Sequence, residues 1–318
     1  EENFGNKDAL GFHIPGMWSK ILDLKECFLQ EEPSNEIRLA VRDYAIKNGL
    51  DFYDVRNQEG FLRTLMLRQN SKGEWMVLFQ LYREEKENRE NLFNFVLEKF
   101  PQVKTLVYAI NPKGNDSIYD LDIQNYYGEG LLMEEMDGLQ FKIGPKSFFQ
   151  TNYKQALELY RKTIEFADIS ENDVVYDLYT GTGTIAQYIA KKAKYVIGIE
   201  SVQEAIDAAI EHAKLNGLEN CEFHCGDMKD VFTEEFLANH PKADVLVTDP
   251  PRDGMHQKVV EQILKLSPPK IVYVSCNSAT QARDLALMKE HYNVVKILPV
   301  DMFPQTHHVE NIALLVKK

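Results

Sequence analysis

Apolar and polar positions along the chain follow two different rhythms. Between about residues 11 and 140, short alternating runs mix with helical ones. Segments 61–69 (FLRTLMLRQ) and 75–82 (WMVLFQLY) predict two strands joined by the polar turn Asn70-Ser71-Lys72-Gly73. Pro33-Ser34-Asn35-Glu36 marks a helix entry, with apolar residues following at helical spacing. The charged run 84–90 (EEKENRE) reads as a solvated helix start, with a helix over 91–99 and a strand over 105–110 behind it. Strands joined by turns, with helices between them, predict a small α+β domain over 1–140. From Asp173 the rhythm becomes strict strand–helix alternation. The predicted strands are 174–178, 195–200, 222–225, 245–248 and 271–275, which makes 141–318 an α/β domain with a mainly parallel, doubly wound sheet. The last two strands, 293–300 and 311–316, have no helix between them and are expected to run antiparallel.

Candidate chemistry collects at the ends of these strands. Asp177-Leu178-Tyr179-Thr180-Gly181-Thr182-Gly183-Thr184 follows the first strand and opens a helix, and its glycines permit a tight turn and close backbone approach to a ligand. The spacing is not the full GxGxxG fingerprint, which disfavours a nicotinamide cofactor. Glu200 ends the next strand, about 20 residues on, where an acidic side chain accepts from ribose hydroxyls. Asp227 follows the third strand, where an adenine edge would lie. Each feature alone is ordinary, a turn or a helix cap. Together they point to one crevice at the C-terminal ends of the strands. Asp249-Pro250-Pro251-Arg252 follows the fourth strand, and Cys276 ends the fifth within Ser275-Cys276-Asn277. His307-His308-Val309-Glu310 leads into the last strand.

A thiol and a carboxylate together suit methylation of uracil C5. That carbon becomes nucleophilic once a thiolate has added to C6, and a base must afterwards remove the C5 proton. Cys276 and Glu310 could supply such a pair; the thiolate need not be abundant at rest provided the site lowers the cysteine pKa, which the sequence does not show.

Composition narrows the setting. A net charge of −13 argues against a general nucleic-acid coating protein, yet leaves room for a local RNA groove. The four cysteines, Cys27, Cys221, Cys225 and Cys276, match no zinc or c-haem spacing, so no metal site is expected. Cys221 and Cys225 read as small hydrophobes in or near a strand. Few cysteines, no signal peptide and no apolar run of the roughly 20 residues a membrane span needs lead to the expectation of a cytoplasmic protein without membrane contact. A monomer is expected. The chain opens on Glu1 rather than Met, which suggests a processed form or a fragment.

With these residues in hand, the sequence resembles the bacterial RNA uracil-5-methyltransferases, which modify ribosomal or transfer RNA. The resemblance rests on Phe148-Phe149-Gln150-Thr151-Asn152, DLYTGTGT (177–184), Asp249-Pro250-Pro251-Arg252, Ser275-Cys276-Asn277 and Thr306-His307-His308-Val309-Glu310, in that order. It covers the chain from about Gly138 to its end and is weaker before that. It implies a class I S-adenosylmethionine-dependent methyltransferase (Rossmann-like) domain, as the final antiparallel pair also does, preceded by the smaller α+β domain. It places Gln150, Tyr179, Thr184, Glu200 and Asp227 around S-adenosylmethionine and Asp249 in the site. Cys276 becomes the nucleophile and Glu310 the base. The expected substrate is RNA, 23S rRNA ahead of tRNA. The oligonucleotide-binding barrel with which the family usually opens is not visible. Some members bind an iron–sulfur cluster through four cysteines. Cys27 resembles the last of those ligands but has no preceding partners, so the chain does not support a cluster unless an N-terminal segment is missing.

Three rivals remain. An RNA cytosine-5 methyltransferase shares the covalent logic, but typically carries a second cysteine that Asp249-Pro250-Pro251-Arg252 lacks. A non-catalytic RNA-binding module would keep the fold without binding S-adenosylmethionine. A small-molecule methyltransferase fits the acidic charge but leaves the N-terminal domain unexplained. Arg63 and Arg68, at odd separation on one predicted strand, should point to opposite faces, so at most one is expected to meet RNA.

Overall fold

A computed structural model describes residues 8–318. Two compact units divide the chain, Glu1–Glu134 with Ile143–Lys146, and Glu135–Lys142 with Ser147–Lys318.

The first unit opens with the antiparallel pair β1 (Phe12–Ile14) and β2 (Met17–Leu22), followed by helix α1 (Ser34–Asn48). Strands β3 (Leu62–Gln69) and β4 (Trp75–Leu81), helix α2 (Lys86–Lys99), and strands β5 (Val103–Ile110) and β6 (Gln124–Tyr127) complete it. The sheet order is β3-β4-β5-β6. β3 and β4 pair antiparallel across the expected turn, whereas β4 and β5 run parallel because α2 carries the chain back across the sheet. Alternate residues of β4 (Trp75, Val77, Phe79 and Leu81) join Ile37 and Val41 of α1 and Leu92, Phe93 and Val96 of α2 in one core. The opposite face of β4 is also buried, and its Gln80 is satisfied by the Asn111 amide and the Asp116 carbonyl.

Arg63 spends its guanidinium inside the first unit. Its side chain is 1% exposed and bonded to Asp116 and to the carbonyls of Asn111, Lys113 and Asn115, with its guanidinium 4.4 Å from the centre of the Tyr53 ring. It therefore pins the loop after β5. Arg68 is also largely desolvated, and burial lowers its pKa. The Cys27 backbone is held by Asn35, whose side chain accepts from the Cys27 N–H and donates to its carbonyl.

The chain passes between the units within the hairpin of β7 (Leu132–Met136) and β8 (Leu139–Ile143). The second unit continues with α3 (Tyr153–Ala167), β9 (Val174–Leu178), α4 (Thr184–Ala190), β10 (Tyr195–Glu200), α5 (Gln203–Leu215) and β11 (Cys221–Cys225). Next come the short helices α6 (Met228–Val231) and α7 (Glu234–Asn239), then β12 (Val245–Thr248), α8 (Gln257–Leu266), β13 (Lys270–Ser275) and α9 (Ser278–Met288). The unit closes with β14 (Tyr292–Asp301) and β15 (Val309–Lys317). Helix α3 lies outside the expected elements; Asn152 caps it by accepting from the Gln155 N–H.

The seven strands run β11-β10-β9-β12-β13-β15-β14. The first five are parallel, and β15 is antiparallel to both neighbours, as the missing helix predicted. Each central strand buries both faces. Val175, Val247, Val272 and Val274 enter one core with Leu159, Tyr160 and Ile164 of α3. Tyr176, Leu178, Leu246 and Tyr273 enter the other with Val259, Val260 and Ile263 of α8. Strands covered on both faces read as apolar runs rather than as alternation. No helix among the described residues is long and apolar enough to cross a membrane.

Buried Asp284 of α9 braces the loop after β12. Its carboxylate accepts from the Tyr273 hydroxyl at 2.7 Å and from the Met255 N–H at 2.8 Å, and Arg283 pairs with it. Asp284→Ala strands both donors, at roughly 1–3 kcal/mol each. Urea denaturation should show a loss of about 2–4 kcal/mol, and a wild-type midpoint would contradict this role.

Candidate active site

Strand register assembles the site. Leu178 lies opposite both Ile199 and Thr248, and Thr248 opposite Tyr273. The C-terminal ends of β9, β10, β12 and β13 therefore finish at one edge of the sheet, the edge at which ligands bind in open α/β sheets. Antiparallel β15 starts from that same edge, with Asn311 paired to Ser275.

The turn after β9 forms one half. Asp177 is buried, and its carboxylate accepts from the Thr180 hydroxyl at 2.5 Å. Burial, with a smaller push from Glu200, raises its pKa to about 7. Tyr179 has φ 63°, a left-handed conformation that is costly for a bulky side chain and often found at functional sites. Gly181 (φ 56°) has open space where a side chain would stand, whereas a Cβ on Gly183 (φ 74°) would come within 2.9 Å of the Ala209 Cβ. Glycine is thus needed at 183 for space as well as conformation. Thr184 is buried, with its hydroxyl 3.4 Å from that of Thr182. Glu200 accepts from the N–H of Gly181 at 3.1 Å, and from those of Ser201 and Val202, fixing its carboxylate beside the glycine crest. Asp227 caps α6, and its hydrogen bond to Lys229 holds it below the usual carboxylate range.

The other half surrounds Cys276. The Arg252 carbonyl accepts from the Asn277 amide and the Thr280 hydroxyl, both at 3.0 Å, tying the Asp249–Arg252 loop to the start of α9. The Arg252 guanidinium donates to His308 Nδ1 at 2.7 Å. Cys276 follows directly on Ser275, whose partner is Asn311, and the charge of the neighbouring Glu310 acts on its thiol. Burial raises the pKa of Glu310, with Arg252 opposing. Asp249 lies well above the usual carboxylate range because it is desolvated and faces Glu310 and Asp177. The thiol of Cys276 is likewise pushed up, by burial first and then by Glu310 and Asp249, with Arg252 the opposing charge. Burial and two nearby carboxyl groups thus outweigh one guanidinium.

Two groups of expected residues thus form, Asp177, Tyr179, Glu200 and Asp227, and Asp249, Cys276 and Glu310, linked through the repulsion between Asp177 and Asp249. Gln150 is half-buried just ahead of Asn152, and no hydrogen bond or ion pair joins it to either group among the described residues. The sequence reading missed Tyr160, a buried residue of α3 near Asp249 and Glu310 whose phenol is held protonated by burial. Its signal was the unassigned helical spacing of 153–167.

A parallel sheet that ends in an antiparallel hairpin, with a glycine crest beside an acidic strand end, defines a class I S-adenosylmethionine-dependent methyltransferase. The sequence profile of the tRNA (uracil-5-)-methyltransferase family matches residues 120–318, and the chain belongs to that family of S-adenosylmethionine-dependent RNA uracil-5-methyltransferases. An uncharacterized RNA methyltransferase of Porphyromonas gingivalis is 54% identical over 97% of the chain, and one of Bacteroides thetaiotaomicron is 50% identical over 98%. The aligned regions span 67% and 69% of those proteins. The crystal structure of the Pyrococcus abyssi tRNA (uracil-54, C5)-methyltransferase with S-adenosyl-L-homocysteine superposes with a TM-score of 0.81. That match has 31% identity and covers 98% of this chain and 73% of that one.

Asp177 generates a pH prediction. Its carboxyl ionises near 3.8 when unfolded and near 7 when folded. The folded state therefore loses stability as pH rises through that window, because it retains a proton that the unfolded chain releases. Asp177→Asn removes this dependence. Relative to wild type, the variant should gain more than about 1 kcal/mol between pH 4 and pH 7. Parallel stability curves for the two proteins would refute the buried, proton-retaining carboxyl.

Proposed function

We propose that this enzyme methylates uracil C5 in RNA through a covalent Cys276–C6 adduct, with Glu310 as the base. The observation that supports the reading is the pairing of Ser275 with Asn311, next to Cys276 and Glu310, together with the mutual charge interactions of Cys276, Glu310, Asp249 and Arg252. S-adenosylmethionine, when bound, supplies an electrophilic methyl group. The open space above Gly181 and the Glu200 carboxylate fixed beside it suit its amino-acid and ribose portions. Around it we assign Tyr179, Thr184, Asp227 and Gln150.

Cys276 loses its proton to solvent, and its sulfur bonds to C6. The C5–C6 π pair moves to the O4 carbonyl as an enolate, which is nucleophilic at C5. After C5 has gained the methyl, Glu310 removes the C5 proton, the C5–C6 double bond re-forms and the thiolate leaves. A carboxylate with a raised pKa is the stronger base for that proton. The Arg252 guanidinium is the one charge in the group that favours the thiolate. Asp249, whose pKa burial raises, is placed beside the pair and could meet the base edge. The missing second cysteine counts against cytosine as the target.

For the RNA itself, 23S rRNA is our first reading. Transfer RNA is the second, favoured by the name of the P. abyssi neighbour. Mapping of 5-methyluridine after incubation with each RNA separates them.

The two catalytic variants should fail differently. Cys276→Ala should form neither adduct nor product. Glu310→Gln should accumulate a methylated protein–RNA adduct that survives denaturing electrophoresis, and 5-fluorouridine in the substrate should trap wild type similarly. Activity in Cys276→Ala, or absence of any adduct with either trap, would overturn covalent catalysis. In calorimetry, Glu200→Ala should bind S-adenosylmethionine about 1–3 kcal/mol more weakly, the range for a hydrogen bond to a charged group. Unchanged affinity in a folded variant would remove Glu200 from the cofactor site.

A further inference from the structure

A second cluster of ligating side chains lies on the outer edge of the sheet, apart from Cys276 and Glu310. Glu222 and His224 are two residues apart on β11, so their side chains share one face of this edge strand. His240, the C-cap residue just after α7, joins them. Glu222 Oε1 lies 3.0 Å from His224 Nε2 and 3.8 Å from His240 Nε2. One ligating atom from each of the three residues falls within 4.8 Å of the others.

From these distances we propose that Glu222, His224 and His240 form a divalent metal site of zinc type, with water in the fourth position. Tetrahedral bonds of about 2.0–2.1 Å hold ligand atoms roughly 3.3 Å apart, within the spread found here. Their orientation is already fixed. His240 Nδ1 lies 2.7 Å from the Phe236 carbonyl, to which only a protonated nitrogen can donate, so Nε2 is left with its lone pair toward the cluster. The Tyr195 hydroxyl donates to Glu222 Oε2 at 2.7 Å, leaving Oε1 as the free ligand oxygen. Phe236 stacks on the His240 ring at 3.9 Å and meets the His224 ring edge-on at 5.0 Å. A second observation points inward: His224 Nε2 is shielded from water and makes no aligned hydrogen bond, despite its nearness to Glu222. A metal would satisfy that atom and tie the sheet edge to the segment after α7. β11 leads directly to Asp227, so the ion would brace one wall of the proposed cofactor crevice.

The test uses chelator-stripped protein and zinc chloride, with bound metal measured by mass spectrometry, affinity by calorimetry and stability by thermal melting. Wild type and Cys276→Ala should each bind one zinc ion, and zinc should raise their melting temperatures. His224→Ala, His240→Gln and Glu222→Gln should each weaken binding at least tenfold and lose the thermal shift while keeping a native circular dichroism spectrum. The near-isosteric Gln variants keep the test valid if His224→Ala fails to fold. Absence of zinc binding by native wild type, or undiminished binding by folded His240→Gln and Glu222→Gln, would overturn the proposal. Loss of zinc on Cys276→Ala would assign the metal to the thiol instead.

Discussion

The register of β13 with β15 is the constraint on which the candidate active site depends. Ser275 pairs with Asn311, and a slip of one residue would turn Glu310 to the other face of the sheet. That register is held from both sides. Ile312 and Leu315 are buried in opposite cores, and Gln281 of α9 donates to the carbonyls of both Tyr273 and Asn311. A carboxylate carried by a strand cannot drift as one carried by a free loop would. The same pairing draws Cys276, at the end of a parallel strand, toward a carboxylate that arrives from the opposite chain direction.

Burial gives this arrangement its electrostatic character. Asp177, Asp249 and Glu310 all have raised pKa values, and desolvation is the leading cause in each. The cost of burying several acids together is offset by neutralising some of them. Cys276 inherits the same field, which favours the thiol at rest. Arg252, held by His308 and by the contacts of its own carbonyl, is placed to favour the thiolate.

Much of the second unit was legible in the sequence because its strands are buried on both faces and appear as apolar runs between helical stretches. The first sheet's hairpin was equally plain from its alternation and its polar turn. Helix α3 (Tyr153–Ala167) and its Tyr160 carry only the helical spacing of 153–167 as a sign, and the order of strand ends and loops that marks the rest of this unit does not include them. Arg63 carried no sign in the sequence of its burial, since its partners come from the loop after β5, about fifty residues away. The edge cluster of Glu222, His224 and His240 was hidden for a related reason. Two of its members are neighbours on a strand, but the third returns only after two short helices.

The sequence by itself determined the order of the elements, the parallel sheet with its antiparallel end, and the chemical types available at each strand tip. Local periodicity and the stereochemistry of glycine turns act over a few residues, so they leave their mark directly on the chain. Tertiary structure alone decided which strand tips meet, how far each acid is desolvated and whether the cysteine rests as thiol or thiolate. Those properties depend on distances between residues far apart in sequence and on the water that packing excludes, neither of which any local pattern encodes.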